Sequence, residues 1–238
     1  MVTTFSRRFD RKYDRVFFAT MVGAILSAVF VGYARTYYLA GLARAPLPSA
    51  IVQVHAAAFS AFMILLVVQI GFVSTGRIAL HRRLGLAGFA LAAAMIVLGI
   101  LAATDSLRRG FSPPGIDVLT FYIIPITDIV LFAIFILLAN RARRVPVAHK
   151  RWVIVAAIAI LDAAIARWPF AFVHQGHWLA DLACYAFLAA LAAYDVFSIG
   201  RVHRVTIIAT IAIIVTQQLR VPIGMTPAWH AFAASIAR

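Results

Sequence analysis

The chain has no glutamate at all, and its eight acidic residues are aspartates. A single cysteine, Cys184, excludes an intramolecular disulfide and any cysteine-rich metal site. Placed inside an apolar run, it reads as a small packing residue. The only lysines are Lys12 and Lys150, both outside the apolar runs, so no buried amine is available for a retinal Schiff base. There is no glycine-rich phosphate loop, no dinucleotide fingerprint after a strand, no serine-nucleophile elbow and no His-Glu-x-x-His pair. Polar sequence itself is scarce. Hydrophobic residues make up 64% of the 238, against about 45–50% in soluble domains, and the mean hydropathy is +0.96. That composition leaves no room for a sizeable soluble domain.

What is present is a series of long apolar runs, at about 16–38, 50–73, 84–104, 119–139, 152–172, 178–199 and 205–220. A hydrocarbon core about 30 Å thick needs about 20 apolar residues per helix. Runs of Ala, Leu, Ile and Val without strict alternation favour helices over barrel strands. The expectation is an all-α polytopic membrane protein, a seven-helix bundle over residues 16–220 behind a basic N-terminus, 1–15. The first apolar run exceeds the roughly 7–15 residues of a secretory signal and reads as a spanning helix, although Ala43-Arg44-Ala45 resembles a cleavage site. Thr226-Pro227 opens a last helix, with Thr as cap and Pro at the first position. Trp229, Phe232 and Ile236 follow at helical spacing, so residues 221–238 read as an external helix lying in the interface.

The net charge of +14 acquires a meaning once the charges are placed. Arg7, Arg8, Arg11, Lys12 and Arg15 precede the first span, and Arg77, Arg82 and Arg83 separate the second and third. Arg141, Arg143, Arg144, Lys150 and Arg151 lie between the fourth and fifth, and Arg201 and Arg204 between the sixth and seventh. With seven spans all of these fall on one side, which predicts an N-terminus inside and a C-terminus outside. The basic charge is then topology and attraction to anionic lipid, not nucleic-acid binding. The expected setting is a bacterial inner membrane crossed many times.

The polar residues inside the spans carry the chemistry. Asp128 and Asp162 both fall near the midplane of adjacent helices, counting about 1.5 Å per residue, and no Lys, Arg or His is expected at that depth. Carboxyls there must be neutral, hydrogen-bonded to groups such as Thr127 or Gln69, or holding a proton, a cation or a ligand. A second cluster is expected toward the outer side, where Arg167, His55, Asp181 and Asp105 reach similar depth. Arg167 inside hydrocarbon calls for Asp181 or Asp105 as a partner, or for an anionic ligand or a haem propionate. Among the seven histidines, His55, His174, His177 and His230 fall outside and His81, His149 and His203 inside. A bis-histidine haem needs two at equal depth; His55 with His177 or His174, and His81 with His149 or His203, meet that condition.

The stretch from Val54-His55 through Leu80-His81-Arg82-Arg83-Leu84-Gly85 resembles the centre of diheme transmembrane cytochromes b of the ascorbate-reducible type. With His149-Lys150-Arg151-Trp152 and Asp162…Ala166-Arg167-Trp168-Pro169 it also resembles a group of uncharacterised bacterial multi-span proteins. The resemblance covers about half the chain. It implies haem b as cofactor, electron transfer as activity and a redox partner. Only His55 and His81 carry over by position, because the fourth apolar run, 119–139, has no histidine.

Four readings follow. One is a haem-binding electron carrier using His55, His81, His149 and His177, with Arg167 on a propionate. Another is a transporter or a proton- or ligand-binding protein built on Asp128 and Asp162. A third is a zinc-dependent hydrolase using His55, His177 and Asp181. The last is an accessory subunit, without chemistry of its own, that assembles with other membrane chains.

Overall fold

The computed structural model describes residues 11–46, 48–170 and 178–238, and among them every regular element is helical. Helix α1 spans Arg11–Tyr33 and runs into a wide π-helical turn, Ala34–Tyr38, and a short α2, Ala40–Ala43. There follow α3 (Ala50–Ser74), α4 (Ile78–Arg108), α5 (Val118–Arg141), α6 (Pro146–Ala159), α7 (Asp162–Ile165), α8 (Trp178–Ile199), α9 (Arg204–Gly224) and α10 (Pro227–Ala237). Six are long and apolar enough to cross a membrane: α1 with its π turn, α3, α4, α5, α8 and α9. The protein is therefore an integral membrane protein by helix length and composition.

The region expected as a fifth continuous span, 152–172, is interrupted. Helix α6 stops at Ala159, Ile160 takes φ −110° and ψ 10°, and a new short helix begins at Asp162. No glycine or proline lies between Trp152 and Trp168 to announce the break. Together the two pieces still cover a long path beside α1. Lys150 at the start of α6 meets Asp14, whereas Trp168 beyond α7 donates to the Ala28 carbonyl at 3.0 Å. The backbone of α7 passes so close to α1 that a Cβ on Gly32 would overlap the Ala164 carbonyl oxygen.

Helix α6 is the axis of the packing. From Ile154 to Ala159 every side chain is at most 3% exposed. A helix apolar all round belongs in the interior, and here α5, α9, α8 and α1 enclose it. Small residues permit close approach elsewhere: Gly88 of α4 faces Leu65, and Gly99 faces Ile129 and His55. Small residues at these positions let neighbouring side chains seat directly on the α4 backbone. Gly224, at the end of α9, lies against Thr120 and Ile123 of α5.

One terminal boundary differs from expectation, and the start of the last helix at Thr226-Pro227 does not. Helix α9 continues through Pro222 to Gly224 instead of ending at Arg220. The C-terminal helix is α10, capped by Thr226, whose hydroxyl accepts from Trp229 N at 3.3 Å. It is docked on the bundle: Ala233 is fully buried with Ala103, Leu107 and Tyr122, and Trp229 Nε1 donates to the Leu119 carbonyl at 2.8 Å. Burial against protein, not an interface alone, holds this helix.

Candidate functional site

The expectation that no cation shares the depth of Asp128 and Asp162 is wrong. Arg220 of α9 donates from Nη1 to Asp128 Oδ1 at 2.9 Å and from Nη2 to Asp162 Oδ2 at 2.7 Å. The same Nη2 reaches Asp181 Oδ1 at 2.9 Å. All four residues are 4–6% exposed, and they come from α5, α7, α8 and α9. Arg220 stands near the apparent end of the last apolar run. Side chains on a helix lean toward its N-terminus, and α9 runs one turn further than the hydropathy indicates, so the long guanidinium descends into the bundle. An arginine at that depth requires carboxylate partners, and it has three.

The cluster is unbalanced. Among the described residues, three carboxyls converge on one guanidinium, so carboxyls outnumber the cation that holds them in the protein interior. Asp162 Oδ1 is buried with no donor. Arg220 brings the Asp128 and Asp162 carboxyls to the two ends of one guanidinium. Gln217, three residues before Arg220 on the same buried face, has neither its amide nitrogen nor its carbonyl oxygen satisfied. Cys184, one turn along α8 from Asp181, is fully buried and packs as expected. Neither Thr127 nor Gln69 serves the aspartates: Thr127 bonds the carbonyls of Ile123 and Ile124, and Gln69 Oε1 has no partner.

The outer cluster does not assemble as expected. Asp181 belongs to Arg220, and Asp105 accepts from Ser49 at 2.7 Å and Arg109 at 2.8 Å. Arg167 pairs with neither. It is exposed, donates to the Ala163 carbonyl and lies 5.2 Å from the Tyr33 ring centroid. Local helix geometry explains the change: Arg167 follows α7 by two residues and so points away from the face that carries Asp162.

The histidines separate further. His55 stacks on Phe59 with centroids 4.1 Å apart, and its Nδ1 is buried without a partner. His174 and His177 lie outside the described residues. His81 and His149 do meet, with ring centroids 6.4 Å apart and planes at 79°. His149 Nδ1 bonds the Ala139 carbonyl at 2.9 Å, while His81 Nδ1 is buried and unpaired. His203 instead caps α9, accepting from Val205 N at 3.1 Å, and His230 bonds Thr120 at 3.0 Å. No group of three or more His, Cys, Asp and Glu is arranged to hold a metal among the described residues.

A second buried ion pair escaped the sequence reading. Arg151 of α6 and Asp195 of α8 are both fully buried and bonded. Arg151 also donates to the Val147 carbonyl at 2.7 Å, and Asp195 Oδ2 accepts from His203 N at 3.0 Å and Thr206 at 2.5 Å. Each polar atom here is satisfied. This is a fastener, in contrast to the unbalanced cluster around Arg220.

In comparisons with known proteins, no family model, curated protein or solved structure matches this chain. The functional reading rests on the site.

Proposed function

We propose that this protein is a proton- or cation-coupled membrane transporter in which Asp128, Asp162, Asp181 and Arg220 form the coupling site. The observation that carries this reading is the three-to-one ratio of carboxyls to guanidinium in a buried cluster. With Arg220 as the cation of the described cluster, protons on the acids or a bound cation bring the site toward neutrality. A broken helix supports the same reading. Irregular backbone at membrane depth is tolerated where it is packed in protein or lines a cavity, and discontinuous helices mark substrate and ion sites in secondary transporters. Here the break at Ile160–Leu161 places Asp162 directly on Arg220. In this reading α6 and α7 together make a seventh crossing, the basic loops face the cytoplasm, and the protein resides in a cell membrane.

The chemistry is an exchange of partners. With a proton on Asp162, Arg220 keeps Asp128 and Asp181, and the broken segment is released from one of its ties. With the proton gone, Arg220 draws Asp162 back. Infrared difference spectroscopy on the reconstituted protein tests this. A protonated-carboxyl band should change as pH is cycled, and Asp→Asn substitution within the cluster should remove it. A carboxyl spectrum that changes neither with pH nor with added sodium would end the proposal.

His81 and His149 favour a second reading, the haem-linked electron carrier. Their ring centroids lie 6.4 Å apart, near enough for both imidazoles to serve one metal. The Ala139 carbonyl fixes the His149 tautomer, so that Nε2 is free to ligate. These two residues would hold haem b, which would supply one-electron transfer. His55 has no second histidine beside it among the described residues, so the pair accounts for one haem. A Soret band in the purified protein, lost in both His81→Ala and His149→Ala, would establish it.

A further inference from the structure

The end of the bundle at which α1 becomes the π turn carries a cavity of about 320 Å³. Its walls include Gly32, Arg35, Thr36, Arg167, Trp168 and Pro169. Two arginines therefore face one small space. Neither has a carboxylate partner among the described residues, and the aspartates are engaged elsewhere. Asp14 is held by Lys150 and Tyr194, Asp105 by Ser49 and Arg109, and Asp117 caps α5. Asp128, Asp162 and Asp181 share Arg220, and Asp195 holds Arg151. The eighth, Asp10, is near the N-terminus, and 171–177 contain no acid.

Arg167 is also pre-set for a ligand. Its contact with the Ala163 carbonyl and its stacking on Tyr33 fix the guanidinium plane, while most of its five N–H donors remain available. Guanidinium groups bind phosphate oxygens in pairs of parallel hydrogen bonds, and Thr36 adds a hydroxyl. Trp168 lines the cavity and Tyr33 lies against Arg167, residue types that collect at the headgroup level of a bilayer. Basic pockets between membrane helices hold lipid head groups.

We infer that this cavity binds a phosphate group through Arg35 and Arg167, and that an anionic phospholipid headgroup delivers it. The inference is independent of proton coupling at Arg220. Native mass spectrometry of the detergent-purified protein with phosphatidylglycerol or phosphatidylcholine tests it, with inorganic phosphate as competitor. The wild type retains phosphatidylglycerol in preference to phosphatidylcholine. The Arg35→Gln/Arg167→Gln variant loses that preference about tenfold or more, whereas Arg201→Gln, in an exposed loop, keeps it. Displacement by inorganic phosphate shows that the free anion shares the site; lack of displacement assigns it to the lipid. Arginine-selective labelling of the wild type gives a readout that needs no variant, since phosphatidylglycerol should shield Arg35 and Arg167. Equal retention of both lipids with no phosphate binding, undiminished retention in the double variant, or labelling unaffected by lipid would overturn the assignment.

Discussion

Arg220 Nη2 lies 2.7 Å from Asp162 Oδ2, across the point where the central helix is broken. Asp162 opens the four-residue helix α7, and Arg220 is one turn from the end of α9. The contact therefore joins a broken segment, with little helical hydrogen bonding of its own, to a continuous helix. The same guanidinium holds α5 through Asp128 and α8 through Asp181. One side chain ties four elements together.

Removing that side chain leaves three buried acids without their cation. Breaking a buried ion pair from one side typically costs about 3–5 kcal/mol. Arg220→Met should fall in this range, lowered to the extent that the acids take up protons. Arg220→Lys keeps the charge but has a single nitrogen in place of the planar fork, so it cannot serve three carboxyls in the same geometry. Melting in detergent should rank wild type above Lys and Lys above Met. A Met variant as stable as wild type would show that the cluster is not held by charge.

The three aspartates should not be equivalent. Asp162 has an oxygen buried without a donor, and Asp162→Asn can supply an N–H at that position. That variant should retain its fold and lose pH response. Asp181→Asn weakens a contact to Arg220 without touching Asp128 or Asp162, and should shift the response without abolishing it. Proton uptake by reconstituted vesicles separates the two outcomes.

Much of the bundle was legible because membrane spans are written in long apolar runs, six of which form helices long enough to cross. The break at Ile160 was not, since no Gly or Pro marks it and its cause is tertiary: Asp162 is drawn to Arg220. Asp128 and Asp162 stood out as midplane acids. Arg220 did not, because counting residues places its Cα near the membrane end while the side chain leans back toward the interior. Arg151 was counted as a loop charge for the related reason that helix α6 begins at Pro146, which carries it inside. Arg167 misled in the opposite direction: it is exposed against Tyr33 and the Ala163 carbonyl and pairs with neither expected aspartate.

Two glycines on α1 give a clean contrast. A Cβ on Gly32 would collide with the Ala164 backbone, whereas Gly23 has nothing within 4 Å. Overpacking of this kind costs about 1–3 kcal/mol, and Gly32→Val should cost at least that because backbone cannot rotate away. Gly23→Ala should be neutral or slightly stabilising, up to about 1 kcal/mol, by helix propensity. If both changes proved neutral, the close seating of α7 on α1 would be wrong.

His203 provides a pH prediction outside the spanning helices. Burial, followed by the neighbouring Arg151 charge, holds its imidazole below the ordinary 6.5, with Arg201 and Arg204 acting in the same direction and Asp195 opposing them. The neutral ring is the form that caps α9, because Nδ1 accepts from Val205 N and a protonated ring cannot. The unfolded chain therefore takes up this proton more readily than the folded one. Stability from His203 is complete above about pH 6.5 and declines as pH falls through that value, levelling off below the lower folded pKa. Asn is an effective helix cap that does not titrate, so His203→Asn should keep most of the cap and flatten this part of the pH–stability profile. His203→Ala should lose about 1 kcal/mol at neutral pH. A His203→Asn profile with the same acid decline as wild type would assign the decline to other groups.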